Sequence, residues 1–151
     1  MDFGGRSLRI ISRESQQSHD VQQFTDFGNN EIDTDTINGS QINDVVYNRN
    51  RELEVRYNFV FDSFQPNLNP ADFSKKSILA GSDDYDIIID ALLPMTSLMG
   101  SMLFINLDSL EYIALEQDCW DYNANKNLSI GNKNFLAIGD LLILDKKGTW
   151  S

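Results

Sequence analysis

Tyr85-Asp86-Ile87-Ile88-Ile89 places β-branched residues on both faces of a short run, ahead of Asp90-Ala91-Leu92-Leu93-Pro94. A strand apolar on both sides is one covered by helices above and below, as in a parallel sheet. Working outward, Leu8-Arg9-Ile10-Ile11 reads as an opening strand, with Ser12-Arg13-Glu14-Ser15 as the loop at its carboxyl end. Residues 16–39 are polar and acidic and read as an irregular excursion. Gln41 to Tyr57 carries Ile42, Val45, Val46, Arg49 and Leu53 at three- and four-residue spacing, which predicts a helix with Ser40 as N-cap. Asn58 to Phe64 alternates aromatic and polar residues as a strand, and Pro66 and Pro70 end it. Ala71 to Ala80 is a second helix closed by Gly81. Strands alternating with helices give an α/β fold with a mainly parallel sheet flanked by helices.

Beyond the third strand, Pro94 suits the first turn of a helix reaching about Leu103, with Met95, Leu98, Met99 and Met102 on its apolar side. Methionines at that spacing read as core filler. Phe104 to Leu110 reads as a short strand or extended connector, and Glu116 to Lys126 as a helix. Leu128-Ser129-Ile130 and Phe135-Leu136-Ala137-Ile138 read as two short strands turned through Gly131-Asn132, and Leu141 to Leu144 as a last apolar run.

At 151 residues the default is a single domain over 1–151. A 41% hydrophobic fraction argues for a globular chain. The formal charge of −11 repels polyphosphate, and no basic stripe interrupts it, so nucleic acid is not an expected partner. One cysteine, Cys119, excludes an internal disulfide. Met1-Asp2-Phe3-Gly4-Gly5 lacks the apolar run of a signal peptide, and no stretch approaches the about 18 to 20 apolar residues of a membrane span. The chain is then either intracellular or parted from an export segment.

Asp33-Thr34-Asp35-Thr36-Ile37-Asn38-Gly39 resembles a calcium loop only superficially. Its glycine falls one place late, and apolar Ile37 stands at a ligand position, so the run reads as an acidic turn before the helix. No metal site or cofactor is expected. His19, the only histidine, has no Cys or His neighbour, and no Gly-x-Ser-x-Gly elbow accompanies it, so no catalytic residue is assigned. Asp83, Asp84 and Asp86 could do acid/base chemistry if one were buried, and otherwise form a solvated turn. Cys119 reads as packed beside Trp120. Trp120 reads either as a ligand-stacking platform on a helix or as a core residue.

Several stretches together resemble one family. Trp120-Asp121-Tyr122-Asn123-Ala124, then Leu128-Ser129-Ile130-Gly131-Asn132-Lys133, then Ala137-Ile138-Gly139-Asp140 follow the order of a signature in the extracellular solute-binding proteins of bacterial ABC importers. Ile42-Asn43-Asp44-Val45-Val46-Tyr47-Asn48-Arg49-Asn50-Arg51 with Glu54 and Tyr57-Asn58 resembles a helix of the same family, as do Tyr85-Asp86-Ile87-Ile88 and Leu107-Asp108-Ser109-Leu110-Glu111-Tyr112-Ile113 its later segments. Departures stand at Met99-Gly100-Ser101-Met102, at Asn134 and at Lys146-Lys147.

The resemblance implies the two-lobed type II periplasmic-binding-protein fold, of which this chain would form the N-terminal portion of the first lobe, without the second. It implies a non-enzymatic protein that captures a small solute, a carbohydrate or a peptide-like nutrient, and delivers it to ABC permease subunits. It further implies an extracellular protein whose full-length parent carries a signal and lipid anchor. Ligands of parallel sheets bind beyond the carboxyl strand ends, which makes Ser12, Arg13, Glu14, Leu93, Pro94, Met95, Trp120 and Asp140 the candidate ligand-binding residues. With a half-lobe, the Tyr85 to Asp90 edge is expected to lie open to self-association. The alternatives are an α/β hydrolase-like enzyme using Asp83, Asp84 and Asp86, and a ligand-free interaction module.

Overall fold

β1, Arg6–Ser12, is the middle strand of a three-stranded parallel sheet in the order β2-β1-β3, with β2 at Phe59–Phe64 and β3 at Ile87–Ile89. The computed structural model describes residues 1–12, 32–66 and 69–139. They fall into two compact units, Met1–Asp90 and Ala91 onward.

In the first unit Arg6 pairs with Phe59 and Ile11 with Phe64, while Ile10 pairs with Ile87 and Ser12 with Ile89. Paired residues in a ladder share a face. Leu8, Ile10 and Ser12 therefore lie with Phe59, Phe61, Ser63, Ile87 and Ile89, and Arg9 and Ile11 lie with Asp62, Phe64 and Ile88 on the other side. α1, Gln41–Tyr57, is tied to β2 by Glu54, whose Oε1 accepts from the Phe61 N–H at 2.8 Å. α2, Pro70–Leu79, serves the opposite face, where Phe73 meets Phe64 with ring centroids 5.5 Å apart and the Tyr85 hydroxyl donates to the Ser74 carbonyl at 2.7 Å. The β1-α1-β2 crossover runs one way along the sheet and the β2-α2-β3 crossover runs back past β1 the other way, so right-handed connections put the two helices on opposite faces. Ile10, Ile11, Val46 and Ala71 form the buried centre.

The expected α/β alternation holds, and both helices stand within a residue of their expected bounds. α1 ends at Asn58, which takes a left-handed conformation and returns its N–H to the Glu54 carbonyl. α2 starts where the Asn69 side chain accepts from the Ala71 N–H and stops before Gly81, whose φ of +75° lets the chain turn away. Two expectations are corrected. The stripe that α1 buries is Asn43, Val46 and Asn50, while Ile42 and Val45 face solvent, because the amides of the two asparagines have partners in residues 32–36. β3 is three residues long, and Ile87 is 41% exposed, so the strand is not covered evenly on both faces.

The second unit contains α3, Leu92–Met99, a 3-10 turn at Leu107–Ser109 and α4, Tyr122–Leu128. α3 buries Leu98 and Met99 but stops at Gly100, short of the expected Leu103. Ser101 and Met102 close it with tighter bonds to the Leu98 and Met99 carbonyls, which leaves Met102 exposed with a φ of +52°. Residues 116–119 are turns rather than helix, because Asp121 is the N-cap, its carboxylate accepting from the Ala124 N–H at 2.9 Å.

The two expected strands shrink to one antiparallel pair, Ile130 and Lys133, which exchange N–H···O bonds of 3.0 and 3.1 Å around Gly131-Asn132. Both turn residues have φ of +59°, the primed geometry that a two-residue hairpin requires. Gly131→Val is expected to cost roughly 1–2 kcal/mol, since a branched side chain is strained in the left-handed region. The denaturation midpoint of the variant, at unchanged m-value, measures it.

Candidate functional site

In the order β2-β1-β3 the chain leaves β1 toward one side and comes back on the other, so the carboxyl ends of β1 and β3 lie side by side at the switch point where the strand order reverses. Ser12 ends β1 there and is 1% exposed. Asp90 follows β3 directly, and its Oδ2 accepts from the Ala71 N–H at 3.1 Å at the start of α2. The helix N-terminus, with its partly positive N–H groups, favours a carboxylate at that place.

A buried polar network borders the same rim. Asp33, 5% exposed, accepts from Asn50 Nδ2 at 2.9 Å and from Ser63 Oγ at 3.0 Å, with Arg51 Nη2 at 3.9 Å. Ser63 shares its sheet face with Ser12, one alternate position back along the ladder. Asn50 Nδ2 also donates to the Ile32 carbonyl at 2.9 Å, and Arg49 Nη2 reaches that carbonyl at the same distance. Burial pushes the Arg49 guanidinium below its ordinary value, with Asp33 opposing the shift. Asn43 holds the turn further on, donating to the Thr36 carbonyl at 2.6 Å and accepting from Thr34 Oγ1 at 2.7 Å. The Asp44 carboxylate accepts from the Asn38 and Gly39 N–H groups, and the Asn43 amide and those N–H groups hold it below the usual carboxylate range. The acidic segment before α1 is thus a turn as expected, but α1's own side chains hold it. Ser40 makes no side-chain cap. Among the described residues no cluster of three His, Cys, Asp or Glu side chains is arranged to hold a metal ion.

Of the candidate ligand-binding residues, Ser12 stands at the carboxyl rim of the first unit. Arg13, Glu14 and Asp140 lie outside the described residues, and with them the expected convergence of Arg13, the Leu92-Leu93-Pro94 loop and Asp140. Leu93, Pro94 and Met95 belong to the second unit and occupy the first half of α3, where Leu93 is 82% exposed and the other two are half-buried. Trp120 precedes α4 instead of lying on a helix. It bridges to Gly139 in an antiparallel pair, and its half-buried indole lies against that glycine. Cys119 is exposed, not packed, while its carbonyl is pressed against Gly139. The sequence signature therefore does structural work here. Asn125, buried, donates from Nδ2 to the Ile138 carbonyl at 3.3 Å and accepts the Ile138 N–H at 2.7 Å. Asn134 clasps Asp108 through its backbone N–H and side-chain amide, at 3.0 and 2.9 Å.

Sequence reasoning passed over Asp33 and Ser63 as site members, and Asn43 and Asn50 as their supports. Two asparagines seven residues apart on the buried stripe of α1 were the available signal, since buried amides need partners.

Asp83 and Asp86 are engaged by Arg9, whose Nη2 lies 3.1 Å from Asp83 Oδ1 and 2.7 Å from Asp86 Oδ1. Asp84 accepts the Ser77 hydroxyl. Hydrogen bonds from the Arg9 side chain hold Asp86 below the usual carboxylate range, against the direction a general acid at neutral pH needs. The linkage has a definite sign. Asp86 binds a proton more weakly folded than unfolded, so its contribution is whole above its ordinary value of 3.8 and fades as pH falls from there through the depressed value. Asp86→Asn is expected to flatten that part of the acid limb of stability against pH, read from thermal melts at pH 2 to 5, roughly the window spanned by the two states.

Comparison of the chain with family models, with characterised proteins and with solved structures found no match. The observations define a small α/β domain built on a three-stranded parallel sheet.

Proposed function

We propose that the chain is part of the solute-binding component of an ABC importer, resembling the extracellular solute-binding proteins of type II fold, and that its ligand is a small polar nutrient, a carbohydrate ahead of a peptide. The observation that carries the reading is the switch point between β1 and β3, with Ser12 and Asp90 at its edge. A ligand of many hydroxyls needs a few fixed polar groups to orient it, and the carboxyl rim carries the Ser12 and Ser63 hydroxyls, the Asp90 carboxylate on the Ala71 N–H, and the Asp33 carboxylate braced by Asn50. The family resemblance along the chain supports the same reading. The engagement of Asp83 and Asp86 by Arg9 weakens the hydrolase alternative.

In this reading the chain is the N-terminal portion of the first lobe, and its full-length parent is held outside the cell by a lipid anchor and hands the solute to permease subunits. Among the described residues β3 is an outer strand of the sheet, and in this reading its outer edge would be available to pair with another chain. A thermal-shift panel of sugars and short peptides, followed by calorimetry on any hit, tests the function. Saturable binding of one class, weakened about tenfold by Arg13→Ala through the loss of a charged hydrogen bond, is the expected result. Absence of binding across the panel, or a hit indifferent to Arg13→Ala, overturns it.

A further inference from the structure

On the sheet face opposite Ser12, a cavity of about 270 Å³ opens between β2 and α2. Phe64, Phe73 and Tyr85 line it together with Arg9, Asp62 and Asp84. The Phe64 and Phe73 rings stand 5.5 Å apart, tilted at 55°, and the Tyr85 ring is held by its hydroxyl on the Ser74 carbonyl. An aromatic ring carries negative potential on its face, so three rings at one cavity favour a cationic ligand over an anionic one.

The charges around the cavity point the same way. Arg9 is gripped by Asp83 and Asp86, so its cation is already balanced. Asp84 has a neutral partner in Ser77, and among the described residues no hydrogen bond or ion pair engages the Asp62 carboxylate. One guanidinium thus stands among four carboxylates, Asp62, Asp83, Asp84 and Asp86. An anion is repelled here, a neutral ligand gains only the rings, and an organic cation gains both the rings and the carboxylates. The net charge of −11 adds a field that draws cations in from solution. Set against the roughly 300 Å³ at which ordinary ligand pockets begin, the volume suits a headgroup and not an oligosaccharide.

We propose that this cavity binds a small alkylammonium ion, its cationic head packed on Phe64, Phe73 and Tyr85 with Asp62 and Asp84 as counter-charges. The site lies on the other face of the sheet from Ser12 and does not depend on the solute-binding reading.

Choline and its neutral carbon analogue, 3,3-dimethylbutan-1-ol, are titrated separately into the protein at constant chloride, and the backbone amide resonances of Phe64, Phe73, Asp84 and Tyr85 are followed. Choline is expected to saturate them, with the alcohol at least about fivefold weaker. Asp62→Asn and Phe64→Ala, both at largely exposed positions, are each expected to weaken choline roughly two- to fivefold. Butylammonium run in parallel separates the two sources of such a cation. Tighter binding than choline marks a primary amine held by carboxylate hydrogen bonds, and weaker binding marks a methylated ammonium held by the rings. The proposal is overturned if the alcohol equals choline, if neither variant changes the affinity, or if the shifts match those produced by sodium chloride.

Discussion

Gly139→Ala is expected to destabilise the second unit by roughly 1–3 kcal/mol, the range of forced overpacking. A Cβ built at residue 139 would lie 2.7 Å from the Cys119 carbonyl oxygen and 2.6 Å from Trp120 Cε3. The indole could tilt away, but the carbonyl belongs to backbone fixed on both sides. Trp120 N–H donates to the Gln117 carbonyl at 2.9 Å, and Asp121 N–H donates to Ile138 at 2.8 Å, just before the glycine. Strand-like pairing of Trp120 with Gly139 is thus possible only without a side chain there. Gly100→Ala is the control. That glycine sits at the end of α3 with φ of −63° and open space around its missing Cβ, so alanine should be neutral or stabilising by about 0.4–1 kcal/mol. Urea midpoints of the two variants, with exchange rates of the Asp121 amide, distinguish them. A Gly139→Ala protein within about 0.5 kcal/mol of the parent, the spread of ordinary surface changes, would mean that the close approach carries no weight.

What could be read in advance followed periodicity and punctuation. α1, β2 and α2 were legible because the spacing of apolar residues, Pro66, Pro70 and Gly81 mark them locally, and the parallel sheet followed from the alternation of strands and helices. The second unit was read less well. Its order comes from single side chains gripping distant backbone, such as Asn125 on Ile138 and Asp108 on Asn134, and such contacts leave no period in a sequence. Asp121 stops the expected helix from starting at Glu116 because a capping carboxylate outweighs the weak propensity of Asp118 and Cys119. Ser12 was placed at the carboxyl rim by strand logic alone. Asp33 was not, because an aspartate in a polar run looks like any solvated turn until the asparagines that reach it are folded into place.

Those asparagines give the second large effect. Asn50→Ala is expected to cost about 3–4 kcal/mol, because it strips one amide from two buried acceptors, Asp33 Oδ1 and the Ile32 carbonyl, each 2.9 Å away. Asn50 is itself fully buried, so water cannot simply take the place of the amide without opening the packing around Val46. Asn50→Asp separates hydrogen bonding from size. It keeps the volume and the oxygen that accepts from Arg49 Nε and Nη2 at 2.9 and 2.8 Å, but it loses both N–H donors and sets a second carboxylate against Asp33. Asn50→Asp should therefore remain destabilised relative to the parent at pH 7 even though it keeps the size and the Arg49 contact, because the donors to Asp33 and Ile32 are gone. Asp33→Ala completes a double-mutant cycle with Asn50→Ala, and the coupling is expected to be at least about 1 kcal/mol because the two side chains are direct partners. Additive single effects, or an Asn50→Ala cost under about 1 kcal/mol, would show that the 32–36 turn is held without Asn50, by Asn43, Arg49 and Ser63. Otherwise the polar stripe of α1 is what fixes Asp33 beside Ser63 at the carboxyl rim, and a solute site there would share the stability of that network.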